Sequence, residues 1–481
     1  MNSPRIPAKH DLVLLSERLP VDPVRPDGES IRWCDRIDCP LSDLRTIVTV
    51  RRGAWVGRWG QPGSTPEPFE LDRVPLHPLR LTRAESDEFD RYCGDALTPL
   101  FHDRIEPPLF GRGWGDAYRA VNLRYAETAA EVAAPGGVAW IHDLYLQLVP
   151  GQLRRVRPDL MIGFLLHGPF PPAELFMQLP NRAEMLLGML GADLIGFQQP
   201  YEARSFLDLA DRLLGLPVDE GVVTVNDRHV QVATFPSAVD VEDVEKRAAQ
   251  IETQRRADEF RGSLNNPKNV LLAVGRLEPS SGVMQRLDAY AALLGEGRLD
   301  PTNTALIEVV APSSDVGAVW HGRLRAQIER RIGQINGEYA TIGRPVIHYI
   351  DREVGRAERV ALYLAADVFL DTPLSSAPAL AAQEFLIARA QTPCRVVLGE
   401  RVTLAGCLPA GSAVNPYDID ATTMAMLAAV AGVQTSSDHV RDLRASVRDY
   451  GIDRATGSFL QSLGNCVTDD VARDIGAATN C

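Results

Sequence analysis

The chain has 481 residues, of which 45% are hydrophobic and 23% charged, and its formal net charge is −13 at pH 7. This balance is that of a globular protein and excludes disordered and fibrous classes, while the length predicts two or three hydrophobic cores rather than one. The acidic balance argues against nucleic acid as the main partner, because phosphate binding needs a clustered basic face.

The sequence gives no sign of a membrane or secretory protein. No apolar run reaches the roughly 18 residues that a membrane span requires, and the first residues lack the apolar core of a signal peptide. The seven cysteines are scattered and have no zinc-ligand spacing, which favours reduced thiols. We therefore expect a cytoplasmic protein with no membrane partner and no zinc site.

Short apolar, β-branched runs alternate with amphipathic helical stretches along the chain, which predicts parallel sheets with crossover helices. In the first half the runs are almost continuously hydrophobic, as expected of strands covered on both faces. A hairpin is predicted over residues 223–232, turning at Asn226 and Asp227. The other predicted strands of this half are residues 12–15, 138–141, 161–166 and 194–197.

The second half repeats the alternation. The hydrophobic periodicity is lost at residues 235–240 and a charged helix is predicted over residues 241–261, so we place a domain boundary at residue 238. One predicted helix carries an apolar stripe formed by Leu324, Ile328, Ile332 and Ile335. The predicted strands are residues 270–274, 305–310, 345–350, 368–370 and 395–398.

This order of elements predicts an α/β fold of two doubly wound, Rossmann-like domains that face each other across a cleft. Ligands of such sheets bind in the crevice outside the carboxyl ends of the strands. The residues that follow predicted strands are therefore the candidates for chemistry.

Two such candidates lie in the first half. Asp143 follows a strand directly after His142, and its carboxylate either recognises a substrate hydroxyl, takes part in acid–base chemistry, or caps the next helix. His167 follows another strand in a loop that Pro169 and Pro171 make stiff. A lone histidine is more often structural than catalytic, but rigid loops at strand ends are places where ligand groups are held.

A third candidate is Arg276, which follows a strand in the second half and stands between Gly275 and Gly282. A helix is predicted to begin just after this turn, and a helix N-terminus with a nearby arginine suits a phosphate group. Many strand-to-helix turns share this pattern, so an exposed arginine on a turn is the alternative.

These motifs resemble the trehalose-6-phosphate synthases, retaining glycosyltransferases of the two-domain GT-B fold, over residues 12–463. The HDYHL motif of that family appears here as HDLYL at residues 142–146, and its FxLHxPFP motif appears as FLLHGPFP at residues 164–171. The family's SNRLP is SERLP at residues 16–20, and NPYDID at residues 415–420 also matches.

The resemblance implies an organisation and a reaction. Residues 1–238 would bind the acceptor, residues 239–439 would bind a nucleotide sugar, and residues 440–481 would form a helix that crosses back to the first domain, plus a tail. The family transfers a glucosyl-type group from a nucleotide sugar to a sugar phosphate such as glucose 6-phosphate, with retention and without a metal or other cofactor.

The resemblance also assigns site residues. The acceptor would be bound by Arg18, which contacts its phosphate, and by Trp114, Asp143 and His167. The donor would be bound by Arg276 at the diphosphate, by Ser281 and Leu380, and by Glu384 at the ribose. The residues expected to act in catalysis are Asp143, His167 and Arg276.

Several positions depart from the family pattern. Ser281 replaces a lysine that binds the donor diphosphate, and residues 375–384 read SSAPALAAQE where the family has RDGMNLVAKE. Pro378 in that loop has no backbone N–H. A fixed cation at the leaving group typically lowers the activation barrier by about 3–4 kcal/mol, so losing the lysine alone costs a factor of roughly 10² to 10³ in rate. Arg325 and Arg352 are candidates to replace it.

Three further departures lie near the expected substrate sites. The family's Gly-Gly loop falls near Cys39 and Pro40, Asp103 replaces a tyrosine, and Asp315 stands where an arginine is expected. Three functions therefore remain open: a working sugar transferase, a diverged pseudo-glycosyltransferase that couples a cyclitol to an amine, and a catalytically impaired pseudo-subunit that pairs with an active paralogue. These alternatives are compatible with a homo-oligomer or with a hetero-oligomer containing that paralogue.

Overall fold

The computed structural model describes residues 9–24, 32–35, 44–59, 66–102, 107–312, 318–403, 413–432 and 437–478. The chain divides into two compact units, of which the first comprises Met1–Phe235 and Ala455–Cys481 and the second comprises Pro236–Arg454. Residues 440–454, which the sequence analysis grouped with the returning helix, thus belong to the second unit, where Val440, Leu443 and Val447 are buried in its core.

The first unit is built on a ten-stranded sheet. A separate antiparallel pair is formed by β2 and β3. The strands of this unit are β1 His10–Arg18, β2 Val21–Val24, β3 Arg32–Asp35, β4 Ala54–Arg58, β5 Phe69–Leu71, β6 Val74–Leu79, β7 Ala133–His142, β8 Met161–Leu165, β9 Leu194–Phe197, β10 Val218–Asp219, β11 Val222–Val225 and β12 Arg228–Thr234. The order in the sheet is β10-β11-β12-β9-β8-β7-β1-β4-β6-β5. The central strands from β12 to β6 pair in parallel, whereas β10, β11 and β5 add antiparallel edges.

Helices cover this sheet because its strands are apolar on both faces. They are α1 Arg45–Val50, α2 Arg83–Arg91, α3 Thr98–Phe101, α4 Trp114–Val132, α5 Val149–Val156, α6 Ala173–Phe176, α7 Arg182–Met189 and α8 Pro200–Leu214, with a π-helical segment Tyr92–Leu97 and a 3₁₀ turn Leu144–Leu146. Buried apolar residues of the helices and strands form one continuous core.

The last helix, α17 Ile452–Ala478, returns to the first unit through Phe459. The Phe459 ring stacks on Trp140 with centroids 5.1 Å apart. A Cβ atom added to Gly163 or Gly196 would lie 2.7 Å or 3.1 Å from that ring, so these two glycines make room for it. The lack of a side chain at Gly163 of β8 and at Gly196 of β9 allows the helix to pack this closely.

The second unit contains a six-stranded parallel sheet and a small strand pair formed by β17 and β19. Its strands are β13 Asn269–Arg276, β14 Thr304–Ala311, β15 Ile347–Ile350, β16 Val368–Asp371, β17 Ala377–Pro378, β18 Arg395–Gly399, β19 Val402–Thr403 and β20 Ala413–Val414. The order in the sheet is β15-β14-β13-β16-β18-β20. Successive strands are therefore added to one side of β13 up to β15 and to its other side from β16 onward. The point between β13 and β16 is the topological switch point at which ligands of such sheets bind.

The helices of the second unit are α9 Val241–Ala248, α10 Ile251–Ser263, α11 Val283–Gly295, α12 Ala318–Tyr339, α13 Arg356–Ala365, α14 Leu380–Ala388, α15 Ile419–Ala431 and α16 Ser437–Asp449. None of the helices in the described part of the chain combines the length and the apolar character needed to cross a membrane.

All of the strands predicted from the apolar runs are present, and the predicted hairpin turns at Asn226, whose φ is 52°. The apolar stripe of α12 is also confirmed, since Ile328, Ile332 and Ile335 are buried. The single helix predicted over residues 241–261 is wrong. The backbone is extended at Gln250, which separates α9 from α10, and the break allows α9 to pack against α14 while α10 packs against α13.

Candidate functional site

The first cluster of polar residues lies at the carboxyl ends of β7 and β8. These strands are parallel neighbours, and His142 at the end of β7 pairs in register with Leu165 at the end of β8. His167 follows β8 two residues later, and its Nε2 lies 2.9 Å from Nδ1 of His142. The two imidazole rings are nearly parallel, with centroids 5.1 Å apart. The sheet therefore brings two histidines together that the sequence places 25 residues apart.

Asp143 connects the same two strand ends. Its Oδ1 accepts hydrogen bonds from the backbone N–H of Leu144 at 2.9 Å and of Gly168 at 3.2 Å. The first bond caps the 3₁₀ turn, which is the capping role expected as one alternative, and the second ties the carboxylate to the loop after β8. Its φ of 75° is rare for a residue with a side chain. Such strain typically costs about 1–3 kcal/mol and concentrates at functional sites.

The His142 imidazole is fully buried and that of His167 is half-buried. Burial lowers the pKa of His142 well below its usual range. Burial also lowers the pKa of His167, although the Asp143 carboxylate acts in the opposite direction. Both rings are therefore neutral at pH 7. A neutral imidazole donates at one nitrogen and accepts at the other, so this cluster can recognise sugar hydroxyls by hydrogen bonding.

Arg18 at the end of β1 lies within a network of charges. Its Nε is 3.2 Å from Glu17 Oε1, and Glu17 also pairs with Arg58, which pairs in addition with Asp90 at 2.7 Å. The neighbouring Glu17 carboxylate raises the pKa of Arg18. The predicted phosphate-binding arginine is thus partly neutralised by the carboxylate of its neighbour Glu17. The signal was visible in the sequence, since SERLP differs from SNRLP at that position.

Trp114 is the first residue of α4 and follows Gly113, which has a left-handed backbone with φ of 83°. The indole ring lies over Gly111, where a Cβ atom would overlap it, and packs against the core of the first unit. Trp114 is thus placed by the structure at a helix start, and its role toward an acceptor stays a prediction.

In the second unit, Arg276 and Ser281 lie close together at the switch point. Arg276 ends β13, and its Nε is 3.5 Å from Glu278. The Ser281 hydroxyl donates to the backbone carbonyl of Arg276 at 2.5 Å. The N–H of Leu374, in the loop after β16, donates to the Ser280 carbonyl at 2.7 Å, so the two loops at the switch point are in contact. Ser281 therefore supplies no positive charge to this site.

Glu384 on α14 is buried and held by two neighbours from α13. It accepts hydrogen bonds from Arg359 Nε at 2.8 Å, from Arg359 Nη2 at 3.0 Å and from Tyr363 Oη at 2.9 Å. Leu380 begins the same helix after Ala379, whose side chain cannot cap it. The first N–H groups of α14, which like those of any helix have no intrahelical acceptor, are therefore not capped by that side chain, and such a helix start suits an anionic group.

Asp371 is a residue of this site that the sequence analysis missed. It ends β16 on the other side of the switch point from Arg276, and burial raises its pKa to about 6, while Arg286 acts in the opposite direction. Arg286 itself forms a buried pair with Glu308 at 2.5 Å. The available signal was its place directly after the apolar run at residues 368–370, the same pattern that singled out Asp143.

Both arginines proposed to replace the missing lysine are paired with carboxylates. Arg325 pairs with Asp351 at 2.7 Å, and Arg352 pairs with Glu358 at 2.7 Å. Both cations are therefore compensated by carboxylates. Cys39, Pro40, Asp103 and Asp315 lie outside the described residues. Among the described residues, no group of three or more His, Cys, Asp or Glu side chains could hold a metal ion.

A family model described as Glycosyltransferase family 20 matches residues 10–465. The chain belongs to glycosyltransferase family 20. Trehalose-6-phosphate synthase from Mycobacterium avium (strain 104) is 40% identical over 472 residues, covering 94% of this chain and 95% of that protein. The synthase from Mycolicibacterium gilvum (strain PYR-GCK) is 39% identical over 476 residues, covering 95% of this chain and 94% of that protein.

Solved structures agree with the sequence relatives. An α,α-trehalose-phosphate synthase from Burkholderia xenovorans in complex with glucose-6-phosphate has a TM-score of 0.82 and 25% identity, covering 94% of this chain and 99% of the other. A structure described as trehalose-6-phosphate from E. coli bound with UDP-2-fluoro glucose has a TM-score of 0.83 and 25% identity, covering 94% and 98%. The predicted family and the predicted two-domain GT-B fold class of this family 20 chain are confirmed.

Proposed function

We propose that this family 20 chain transfers a glucosyl-type group from a nucleotide sugar to a sugar phosphate such as glucose 6-phosphate, with retention and without a cofactor. The observation that carries the proposal is the cluster of Asp143, His142 and His167 at the carboxyl ends of two neighbouring strands. Similarity to trehalose-6-phosphate synthases along nearly the whole chain supports it.

The first unit would hold the acceptor. Oδ1 of Asp143 receives two backbone N–H groups, and among the described residues Oδ2 has no hydrogen-bond donor, so Oδ2 is suited to accept one from a sugar hydroxyl. His167 contributes a neutral imidazole beside it. Arg18 supplies a guanidinium for the acceptor phosphate, weakened by Glu17, and Trp114 supplies an aromatic wall. These contacts orient the attacking hydroxyl, which is the main contribution of binding to such a reaction.

The second unit would hold the donor. Arg276 would face the diphosphate, whose negative charge grows as it departs, and a fixed cation at that point stabilises the transition state. The N–H of Leu380 and the carboxylate of Glu384 would contact the rest of the nucleotide sugar. The departing diphosphate helps the acceptor hydroxyl to lose its proton, so no side chain of the protein is required to act as the base for that hydroxyl. Turnover is expected to be slow because Ser281 adds no charge.

A second candidate function is a catalytically impaired pseudo-subunit that keeps the acceptor site and pairs with an active paralogue. The specific observations that favour it are the uncharged Ser281 and the pairing of Arg325 and Arg352 with carboxylates. The engagement of both Glu384 oxygens by Arg359 and Tyr363 points the same way.

Thermal-shift titration of the purified chain with UDP-, GDP- and ADP-glucose, and separately with glucose 6-phosphate, distinguishes these functions. A ligand at 100 times its Kd adds about 2.7 kcal/mol of stability. The transferase responds to one nucleotide sugar and to glucose 6-phosphate, and Arg276→Gln removes only the first response. Arg255→Gln, an exposed arginine on α10, is the matched control. A response to glucose 6-phosphate alone indicates the pseudo-subunit, and a response to a nucleotide-activated cyclitol instead indicates the coupling enzyme.

A further inference from the structure

Arg18 stands at the same edge of the sheet as the cluster of Asp143, His142 and His167. β1 ends at Arg18 and is the parallel neighbour of β7, which ends directly before Asp143. On its other side β1 pairs with β4, and there Arg18 is in register with Arg58. The arginine assigned to the acceptor phosphate therefore lies between that cluster and a second arginine.

Glu17 is held in place by Arg58. The Arg58 side chain is only 7% exposed and donates from Nη2 to Oε1 of Glu17 and, at 2.7 Å, to Oδ1 of Asp90. Its guanidinium carbon also lies 4.8 Å from the centre of the Phe89 ring. If Glu17 turned away, the buried Arg58 cation would lose one of these two carboxylates, and breaking a buried ion pair is costly. Glu17 therefore stays beside Arg18 when a ligand binds.

Glu17 also occupies one edge of the Arg18 guanidinium, since its Oε1 lies 3.2 Å from Nε of Arg18. An arginine can bind a phosphate through two parallel N–H groups, either Nε–H with one terminal N–H or two terminal N–H groups. The first of these edges is taken by Glu17. A ligand at Arg18 is therefore left with the terminal N–H groups.

The positive charge of Arg18 is compensated as well. Arg18, Arg58, Glu17 and Asp90 form a contiguous group of ion pairs whose formal charges cancel. A phosphate monoester carries a charge of about −1.5 to −2 at pH 7, so it is repelled by the Glu17 carboxylate while it is attracted by Arg18. A hydroxyl group carries no charge and needs only an N–H donor. The pair of Glu17 and Arg18 therefore favours a phosphate over a hydroxyl much less than a lone arginine would.

We propose that Glu17 is a specificity-determining residue of the acceptor site, and that this site takes an unphosphorylated hexose as well as a hexose phosphate. The inference rests on the proposed function for the assignment of Arg18 to the acceptor phosphate. Because Glu17 offsets most of the attraction that Arg18 supplies, the affinities for the two acceptors differ by less than about 10-fold.

Calorimetric titration of the whole chain with glucose and with glucose 6-phosphate, without a nucleotide sugar, measures this discrimination. Glu17→Gln keeps an oxygen for Arg58 but removes the charge, so it should tighten the binding of glucose 6-phosphate about 10-fold and leave that of glucose unchanged. The gain should disappear when Glu17→Gln is combined with Arg18→Gln. Glu67→Gln, which removes an exposed carboxylate paired with Arg80 in the same unit, is the control and should change neither Kd.

An unchanged affinity for glucose 6-phosphate in Glu17→Gln overturns the proposal. Equal tightening of both sugars, a gain that survives in the double variant, or no binding of either sugar by any of the chains overturns it too. In the unaltered chain, a Kd for glucose 6-phosphate more than about 100-fold below that for glucose has the same consequence.

The unaltered chain answers the question even where Glu17→Gln fails to fold. Raising the salt concentration from about 20 to about 200 mM should weaken its binding of glucose 6-phosphate less than about 2-fold, because the charges at Arg18 are compensated. A weakening of about 10-fold or more would reveal an uncompensated cation and overturn the proposal. A chain that has the expected affinities but transfers no sugar from any nucleotide sugar would contradict the proposed function and leave this inference intact.

Discussion

Nδ1 of His142 lies 2.9 Å from Nε2 of His167, across the carboxyl ends of two parallel strands. This contact arises because each residue emerges from an apolar strand at the same edge of the sheet. A hydrogen bond of this kind needs at least one of the two rings to be neutral, since two protonated imidazoles have no lone pair to share. Burial enforces that state here by lowering the pKa of each ring.

The first prediction concerns Asp143, whose Oδ1 is bound by two backbone N–H groups. Asp143→Asn keeps an oxygen for those bonds and tolerates the positive φ, so the free energy of unfolding changes by less than about 1 kcal/mol. Losing the charge-assisted bond to a sugar hydroxyl weakens glucose 6-phosphate binding roughly 10-fold or more. Calorimetric titration measures this. Asp72→Asn, also at a positive φ but on an exposed turn, is the matched control; equal affinities for all three chains would contradict the assignment.

The second prediction is a loss of stability in mild acid. His142 has a folded-state pKa below the ordinary value near 6.5, so the unfolded chain binds more protons once the pH falls below that value. Its contribution is fully present above pH 6.5 and is lost as the pH falls toward the folded pKa. Thermal unfolding between pH 5 and pH 8 should therefore show that the melting temperature of the unaltered chain falls more steeply with decreasing pH than that of His142→Asn. Parallel curves would mean that His142 does not titrate on unfolding.

The third prediction has the opposite sign and concerns Asp371. Burial raises its pKa to about 6, so its protonated form is favoured in the folded chain, and stability is lost as the pH rises through that value. Asp371→Asn should stabilise the chain more at pH 8 than at pH 5, by about 1 kcal/mol. It should also strengthen nucleotide-sugar binding at pH 8, because a negative charge leaves the switch point. Asp258→Asn, on α10, serves as the control; a stabilisation that is the same at both pH values would show that folding does not raise the pKa of Asp371.

The fourth prediction concerns the packing of α17 on the first unit. Phe459 is 1% exposed and stacks on Trp140, so Phe459→Ala should cost about 3–5 kcal/mol of unfolding free energy. Gly163→Ala should also destabilise, since its new Cβ lies 2.7 Å from the Phe459 ring. The Cβ atom that Gly457→Ala adds in the same helix has no neighbouring atom within 4 Å, so this change should be neutral or slightly stabilising. Equal melting temperatures for Phe459→Ala and Gly457→Ala would exclude this packing.

The sequence allowed the strands to be predicted because parallel strands are apolar along their whole length, and it allowed Asp143, His167 and Arg276 to be singled out because each follows such a strand. It could not predict what lies beside them. Glu384 is held by Arg359 and Tyr363, which stand on another helix, and the break at Gln250 depends on which helices α9 and α10 pack against. Contacts between distant parts of the chain decide both, and hydrophobic periodicity carries no information about them.

The most direct test of the central claim is a transfer assay in which the purified chain is given glucose 6-phosphate and nucleotide sugars labelled with carbon-13 at C1 of glucose. We expect slow formation of a phosphorylated disaccharide whose C1 signal shows the same anomeric configuration as the donor, with the product lost in Arg276→Gln and in Asp143→Ala. No product with any of UDP-, GDP- or ADP-glucose, in a folded chain that binds glucose 6-phosphate, would contradict it.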